Sequence, residues 1–289
     1  MGKKRKIDFG AYAFLIPALL IYLSVIVIPV FYSLFISLHE WNGIGDMNFV
    51  GLDNYIQLIA EDDIFHTAIK NNLIWIFLTL SVTTSVALLF AVLLNKRFKG
   101  RALFRGLFYF PCVIAPIIVS IIWQWMYDPN IGFFNAFFDL LGIDYSQQWI
   151  SDPKVSLFAI FGAALWQMVG QPMILFLAGL QSIPSEVLEA ATVDGTNGFQ
   201  KFFYVTVPLL KESFVIVIAT LVVDAVHVYD IVKGLTDGGP NNATQMMSTY
   251  MYTQTFRYNN VGYGTAVACI MVIIMLVVIV PYVSFSAKE

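Results

Sequence analysis

The sequence predicts an all-α polytopic membrane protein with six transmembrane helices and both termini in the cytoplasm. Three observations carry that prediction: the composition, the length of the apolar runs, and an uneven distribution of lysine and arginine between alternate loops. Of 289 residues, 58% are apolar and 12% charged, and mean hydropathy is +0.75. A soluble domain carries about 25% charged residues, so this chain has about half the charge that an aqueous surface requires. The net charge of −3 provides no basic field for nucleic acid. Only two cysteines occur, Cys112 and Cys269, each within an apolar run. That excludes a disulfide framework and any cysteine-based zinc or iron–sulfur site, and leaves both as small hydrophobes packed in lipid or core.

A hydrocarbon core of about 30 Å needs about 20 helical residues. Apolar runs of that length lie at 13–38, 73–94, 107–127, 155–180, 214–232 and 263–285. The first follows Lys3, Lys4, Arg5 and Lys6, as a secretory signal would, but it is too long and no small-residue cleavage site follows Leu38. It reads as a retained anchor. Cationic loops stay cytoplasmic. The N-terminal segment 1–12, the loop with Lys96, Arg97, Lys99, Arg101 and Arg105, the loop 181–213 with Lys201 and Lys211, and the C-terminal segment 286–289 together hold 12 of the 16 cationic residues. The opposite loops are acidic, with Glu61, Asp62 and Asp63 in one and Asp128, Asp139, Asp144 and Asp152 in another. Trp41, Trp75, Trp123, Trp125 and Trp149 fall near the outer span ends, where an interfacial aromatic belt is expected. Pro17, Pro29, Pro111, Pro116, Pro172 and Pro281 each remove a backbone donor within a span and predict kinks.

No G-x-x-x-x-G-K-[ST] is present, so ATP-driven work would need a partner. His39, His66 and His227 are far apart, and Asp224 beside His227 makes only two candidate ligands, too few for a metal site. No Ser-His-Asp or H-E-x-x-H arrangement exists, which argues against catalysis by this chain.

The loop between the fourth and fifth runs reads as two short helices joined by a tight turn. Ser185 is placed as N-cap, Glu186 and Glu189 lie in the first turn where the dipole favours carboxylates, and Gly195 can supply a left-handed terminating residue. Asn197 with Gln200 resembles a second capping box. Val187, Leu188, Ala190 and Ala191 give the first helix a small-residue apolar face suited to docking in a groove. An interfacial helix on lipid headgroups is the alternative, against which the absence of basic residues from 185 to 195 argues.

Glu189-Ala190-Ala191, then Gly195, then Val205 and Val207-Pro208 resemble the EAA loop of permease subunits in ATP-binding-cassette importers that use a binding protein. The family usually has isoleucine and leucine at the two valine positions, so apolar character is kept. The resemblance implies the type I importer permease fold, with Glu189, Ala190, Ala191 and Gly195 as contacts of a coupling helix with a separate ATPase. Phe49-Val-Gly-Leu-Asp-Asn-Tyr55, Lys99-Gly-Arg101 with Phe104-Arg105, and Gly238-Gly-Pro240 with Asn242-Ala-Thr244 are similar to segments of the maltose-type and glycerol-phosphate-type sugar permeases. The resemblance further implies a second permease subunit, two ATP-binding subunits that hold ATP and Mg on the cytoplasmic side, an external sugar-binding protein, and a bacterial or archaeal cell membrane. This chain itself would carry no cofactor.

For a substrate path the sequence offers Asp224, His227, Tyr229 and Asp230 on the fifth run, Trp166, Gln167 and Gln171 on the fourth, and Gln124 on the third. An aspartate at a span centre costs about 2.5–3.5 kcal/mol on insertion scales, so Asp224 and Asp230 are expected to face protein or water. Asp224 and His227, three residues apart, could bond each other or sugar hydroxyls, and Asp230 could instead pair with Lys233. Glutamines also serve as interhelical glue. The rival function is a self-contained proton-coupled carrier that relays protons through Asp224, His227 and Asp230.

Overall fold

The computed structural model describes residues 9–143 and 145–286. Lys3 to Lys6, Asp144 and Lys288, on which part of the orientation and outer-loop reading rests, lie outside them. The described chain is predominantly helical. In order, it runs through α1 (Phe14–Ser37), α2 (Asp53–Ala60), α3 (Asp63–Asn95), α4 (Arg101–Val113), α5 (Pro116–Met126), α6 (Phe133–Leu140), α7 (Ser156–Met168) and α8 (Gly170–Ser182). It continues through α9 (Ser185–Val193), α10 (Gly198–Lys201), α11 (Lys211–Val226), α12 (Asp230–Leu235), α13 (Met247–Tyr252) and α14 (Val261–Ser286). A two-stranded antiparallel ribbon of β1 (His39–Glu40) and β2 (Asn48–Phe49) pairs His39 with Phe49 and Glu40 with Asn48.

Among the described residues, α1, α3 and α14 are long and apolar enough to cross a membrane, and the bent pairs α4–α5 and α7–α8 raise the number to five if each pair is one span. The third predicted run, 107–127, is not a straight rod: α4 and α5 meet at 103°. Pro116 excludes the helical conformation from the residue before it, and Ala115 lies at ψ 135° with Ile114 at ψ 132°. The fourth run bends by 45° between Met168 and Gly170, where Pro172 has no N–H for the Met168 carbonyl four residues back. The fifth run departs most from expectation. α11 stops at Val226, His227 caps it, and helix resumes only at Asp230.

The chain clusters into two compact units. One comprises the residues up to Glu61 together with Met251–Cys269; the other comprises Asp62–Tyr250 with the residues from Ile270 onward. In the first, the segment Phe49 to Tyr55 serves as a clip. Asn54 Nδ2 donates to the Ser37 and His39 carbonyls at 2.8 and 3.1 Å, and Tyr55 Oη donates to Ser37 Oγ at 2.7 Å. Burial pushes the Tyr55 phenol up to about 12. The first amides of α14, Val261 and Gly262, donate to the Trp41 carbonyl at 2.9 and 3.1 Å. A Cβ on Gly262 would stand 1.9 Å from the His39 carbonyl oxygen, so only glycine fits.

In the second unit the end of α3 packs on α8 through Ala87 and Ala91, whose small side chains admit Met173, Phe176 and Leu177, with Val217 and Leu221 of α11 closing the cluster. Trp75 does not join an interfacial belt. It is completely buried, edge-on to Phe161 with centroids 5.3 Å apart. The reason is that α3 starts at Asp63, where the Asp62 carboxylate caps the Phe65 amide at 2.8 Å, ten residues before the apolar run begins.

Candidate functional site

The loop at 181–213 folds as a capped rod followed by a turn. Pro184, in extended conformation (ψ 137°), occupies the cap position of α9, so Ser185 is its first helical residue and not its N-cap. In consequence Glu186 alone lies in the first turn, and Glu189 lies one turn further on. The C-terminal end agrees with expectation. Gly195 is left-handed at φ +80°, its N–H donates to the Thr192 carbonyl at 3.1 Å, and the Thr196 N–H reaches back to the Ala191 carbonyl at 3.2 Å. These are the two bonds of a Schellman ending. Thr196 Oγ1 also donates to that Ala191 oxygen, at 2.5 Å. Asn197 and Gln200 form a reciprocal capping box at the start of α10, at 2.9 and 3.0 Å. Lys201 Nζ donates to Thr192 Oγ1 at 2.7 Å and ties the two helices together. Ala191 is buried and Leu188 half-buried against the chain itself, whereas Glu189, Ala190 and Gly195 are exposed. Val193 is 87% exposed, an apolar side chain left on the open side of the rod.

The polar residues of the fourth and fifth runs line two cavities of about 230 Å³ each that share Pro116, Gln167, Met168 and Asp224. Trp75, His227, Tyr229 and Asp230 complete the first; Cys112, Gln171 and Thr220 complete the second. The structure therefore brings together Asp224, His227, Tyr229, Asp230, Gln167 and Gln171. Gln124 and Trp166 line neither. Gln124 Nε2 donates to the Gly234 carbonyl at 2.7 Å, and Trp166 lies edge-on to Trp123 with centroids 6.1 Å apart. Gln167 Nε2 also donates to a backbone carbonyl, that of Ile114, at 2.8 Å, while its side chain lines both cavities.

Local pairings differ from those the helical spacing suggested. Asp224 lies in the last turn of α11, and His227 Nδ1 is 3.0 Å from the Val223 carbonyl oxygen. Lys233 pairs with Asp237, not with Asp230. The break that separates His227 from Asp230 is stabilised by donors from distant segments. Asn72 Nδ2 donates to the Ala225 carbonyl at 3.2 Å, and Ser248 Oγ donates to the Val228 carbonyl. Asn72 Oδ1 accepts from the Met247 N–H at 2.7 Å, and its neighbour Asn71 donates to the Ala243 and Gln245 carbonyls at 2.9 and 3.0 Å. Those two asparagines fix the Ala243–Met247 segment and the end of α11, a role with no local signal in the sequence beyond two buried amides on an apolar helix. Trp75 and Cys112 were also missed as lining residues.

The family model described as binding-protein-dependent transport system inner membrane component matches residues 83–287, which is most of the chain. This chain belongs to that family. A Pyrococcus horikoshii protein named as a probable ABC transporter permease is 37% identical over 95% of this chain and 94% of its own length. The trehalose/maltose transport system permease protein MalF of Thermococcus litoralis is 32% identical over 95% of this chain and 92% of its own. A solved bacterial ABC transporter involved in import of the acidic polysaccharide alginate has a chain of the same fold, with TM-score 0.85, 22% identity, and coverage of 97% of this chain and 96% of that one. For an inner membrane transport component, the exposed rod between α8 and α11 and the paired cavities are the two features that require a function. The match begins at Thr83 and so includes the rod and every lining residue named above except Trp75.

Proposed function

We propose that this chain is one half of the translocation path of an ATP-driven saccharide importer. A sister permease supplies the other half. Two ATP-binding subunits, holding ATP and Mg, seat on α9 from the cytoplasm, and an external binding protein delivers the sugar at the bilayer of a bacterial or archaeal cell. The observation that carries this reading is the state of α9 in a chain of this family. Its Leu188 and Ala191 are turned toward the chain, while Glu189, Ala190 and the apolar Val193 are offered outward on a rod closed at its C-terminal end. Such a face suits a groove on a partner. The names of the curated relatives favour saccharides, as does a pair of cavities lined by carboxylates, amides and a buried tryptophan.

Closure of the ATPase pair would push α9, and the spans attached at Ser182 and Lys211 would follow, transferring access from one side to the other. The test is uptake by proteoliposomes that contain the full complex and no proton gradient. ATP-dependent uptake that Glu189→Ala abolishes, while ATP hydrolysis continues, supports the reading. Uptake that follows an imposed proton gradient and ignores that substitution identifies the proton-coupled rival instead.

A further inference from the structure

The groups that line the paired cavities are unbalanced in charge: donors are present in the Tyr229 hydroxyl, the Gln171 amide and the buried, unpartnered Trp75 Nε1–H, but the charged side chains are both acidic. Asp224 and Asp230 contribute carboxylates, which only accept. His227 Nδ1 faces the Val223 carbonyl oxygen, which also only accepts, so the neutral ring holds its hydrogen at Nδ1 and presents Nε2 as an acceptor. Gln167 gives one amide hydrogen to the Ile114 carbonyl and keeps the other together with Oε1. No lysine or arginine lines either cavity among the described residues. Lys233, one turn beyond Asp230, is committed to Asp237.

On the reading that these cavities lie on the sugar path, we infer that they select saccharides that carry no carboxylate: neutral and amino sugars pass, and uronate chains are rejected. A hydroxyl or ammonium group arriving there meets acceptors. A uronate meets the Asp224 and Asp230 carboxylates with no lysine or arginine beside them, and like charges repel. Carboxylate oxygens on both sides of such a contact leave no hydrogen to share, so the penalty combines charge with an unmade bond.

Cys112, which lines the second cavity with Asp224, reports on this directly. In the full complex carrying Cys269→Ser, with cysteines of the other subunits replaced, a cationic trimethylammonium-ethyl and an anionic sulfonatoethyl methanethiosulfonate are reacted with Cys112. The ratio of their rates is divided by the ratio for free cysteine. The expected cation preference is about tenfold or more, and it falls toward that of the free thiol when Asp224→Asn and Asp230→Asn are combined. A ratio at or below that of free cysteine overturns the inference. In the second arm, protection of Cys112 is measured with a mixture of neutral tetrasaccharides of glucose, mannose and xylose, and with tetramannuronate. Protection by the neutral mixture alone supports the selection. Protection by tetramannuronate overturns the selection and leaves the path reading intact. Protection by neither overturns the path reading, and the selection with it.

Discussion

Asn72 Nδ2 donates to the Ala225 carbonyl at 3.2 Å, so an amide on the second long helix caps the last turn of α11, 153 residues away. The same side chain accepts from Met247 N–H through Oδ1, and its residue is 98% buried. The end of α11 and the start of α13 therefore share one carboxamide.

Replacing that amide by Asn72→Ala leaves a buried carbonyl and a buried N–H without partners. At about 1–3 kcal/mol for each unsatisfied group, the expected loss is large. Thermal unfolding in detergent should shift down by several degrees, whereas Asn95→Ala, on a half-exposed end of the same helix, should change little.

Trp75 gives a sharper distinction. A tryptophan in an interfacial belt tolerates replacement, but one that is completely buried against Phe161 should cost about 3–5 kcal/mol on truncation to alanine. Its fluorescence offers a second readout: with the other tryptophans replaced, emission should stay blue-shifted and resist aqueous quenchers.

At Gly195 the left-handed backbone, φ +80°, penalises any Cβ by about 1–2 kcal/mol, yet the position is open, with nothing within 4 Å of an added Cβ. Gly195→Ala should therefore fold and insert normally while loosening the end of α9. The expected result is a lower ratio of sugar imported to ATP hydrolysed in proteoliposomes. Gly195→Asn, which tolerates this conformation better, should recover part of it.

The turn after α5 responds to acid. Asp128 Oδ1 accepts from the Asn130 and Ile131 amides at 2.8 and 3.0 Å, and the Ile131 bond, then the Asn130 bond, hold its carboxyl below the ordinary value of 3.8. A depressed folded-state pKa means that the stabilisation is present above the unfolded value and is lost as pH falls through the folded one. Hydrogen-exchange protection of the Asn130 and Ile131 amides, corrected for intrinsic rate, should hold at pH 5 and disappear below the unfolded aspartate range. Asp128→Ala should remove that pH dependence.

What the sequence disclosed divides by the range of the forces involved. Hydrophobic runs placed α1, α3 and α14 because lipid acts on every residue of a span alike, and Gly195 with the Asn197–Gln200 box was legible because each acts within five residues. The end of α11 was not legible. Asp224 to Lys233 reads as continuous helix until Asn72 and Ser248 take its carbonyls, and neither donor is near in sequence. The Trp75 error has a similar origin: hydropathy marks where lipid begins, while the helix begins where Asp62 caps it. Pro116 was recognised as a break, but the 103° angle depends on what α4 and α5 pack against. Of the candidate path, the acidic pair and both glutamines of the fourth run reach the cavities, and Gln124 does not, because Gly234 offers its amide a carbonyl first.

The turn between α4 and α5 has one more consequence. Pro116 has no N–H, the Ile114 N–H stays on the α4 side by bonding the Pro111 carbonyl, and the first amides of α5, Ile118 and Val119, bond back only as far as Ala115. No ladder bond passes from one arm to the other, so the elbow can flex while both rods remain intact. Its tether is the Gln167 amide on the Ile114 carbonyl, which links the opening angle of the third crossing to a residue that also lines both cavities.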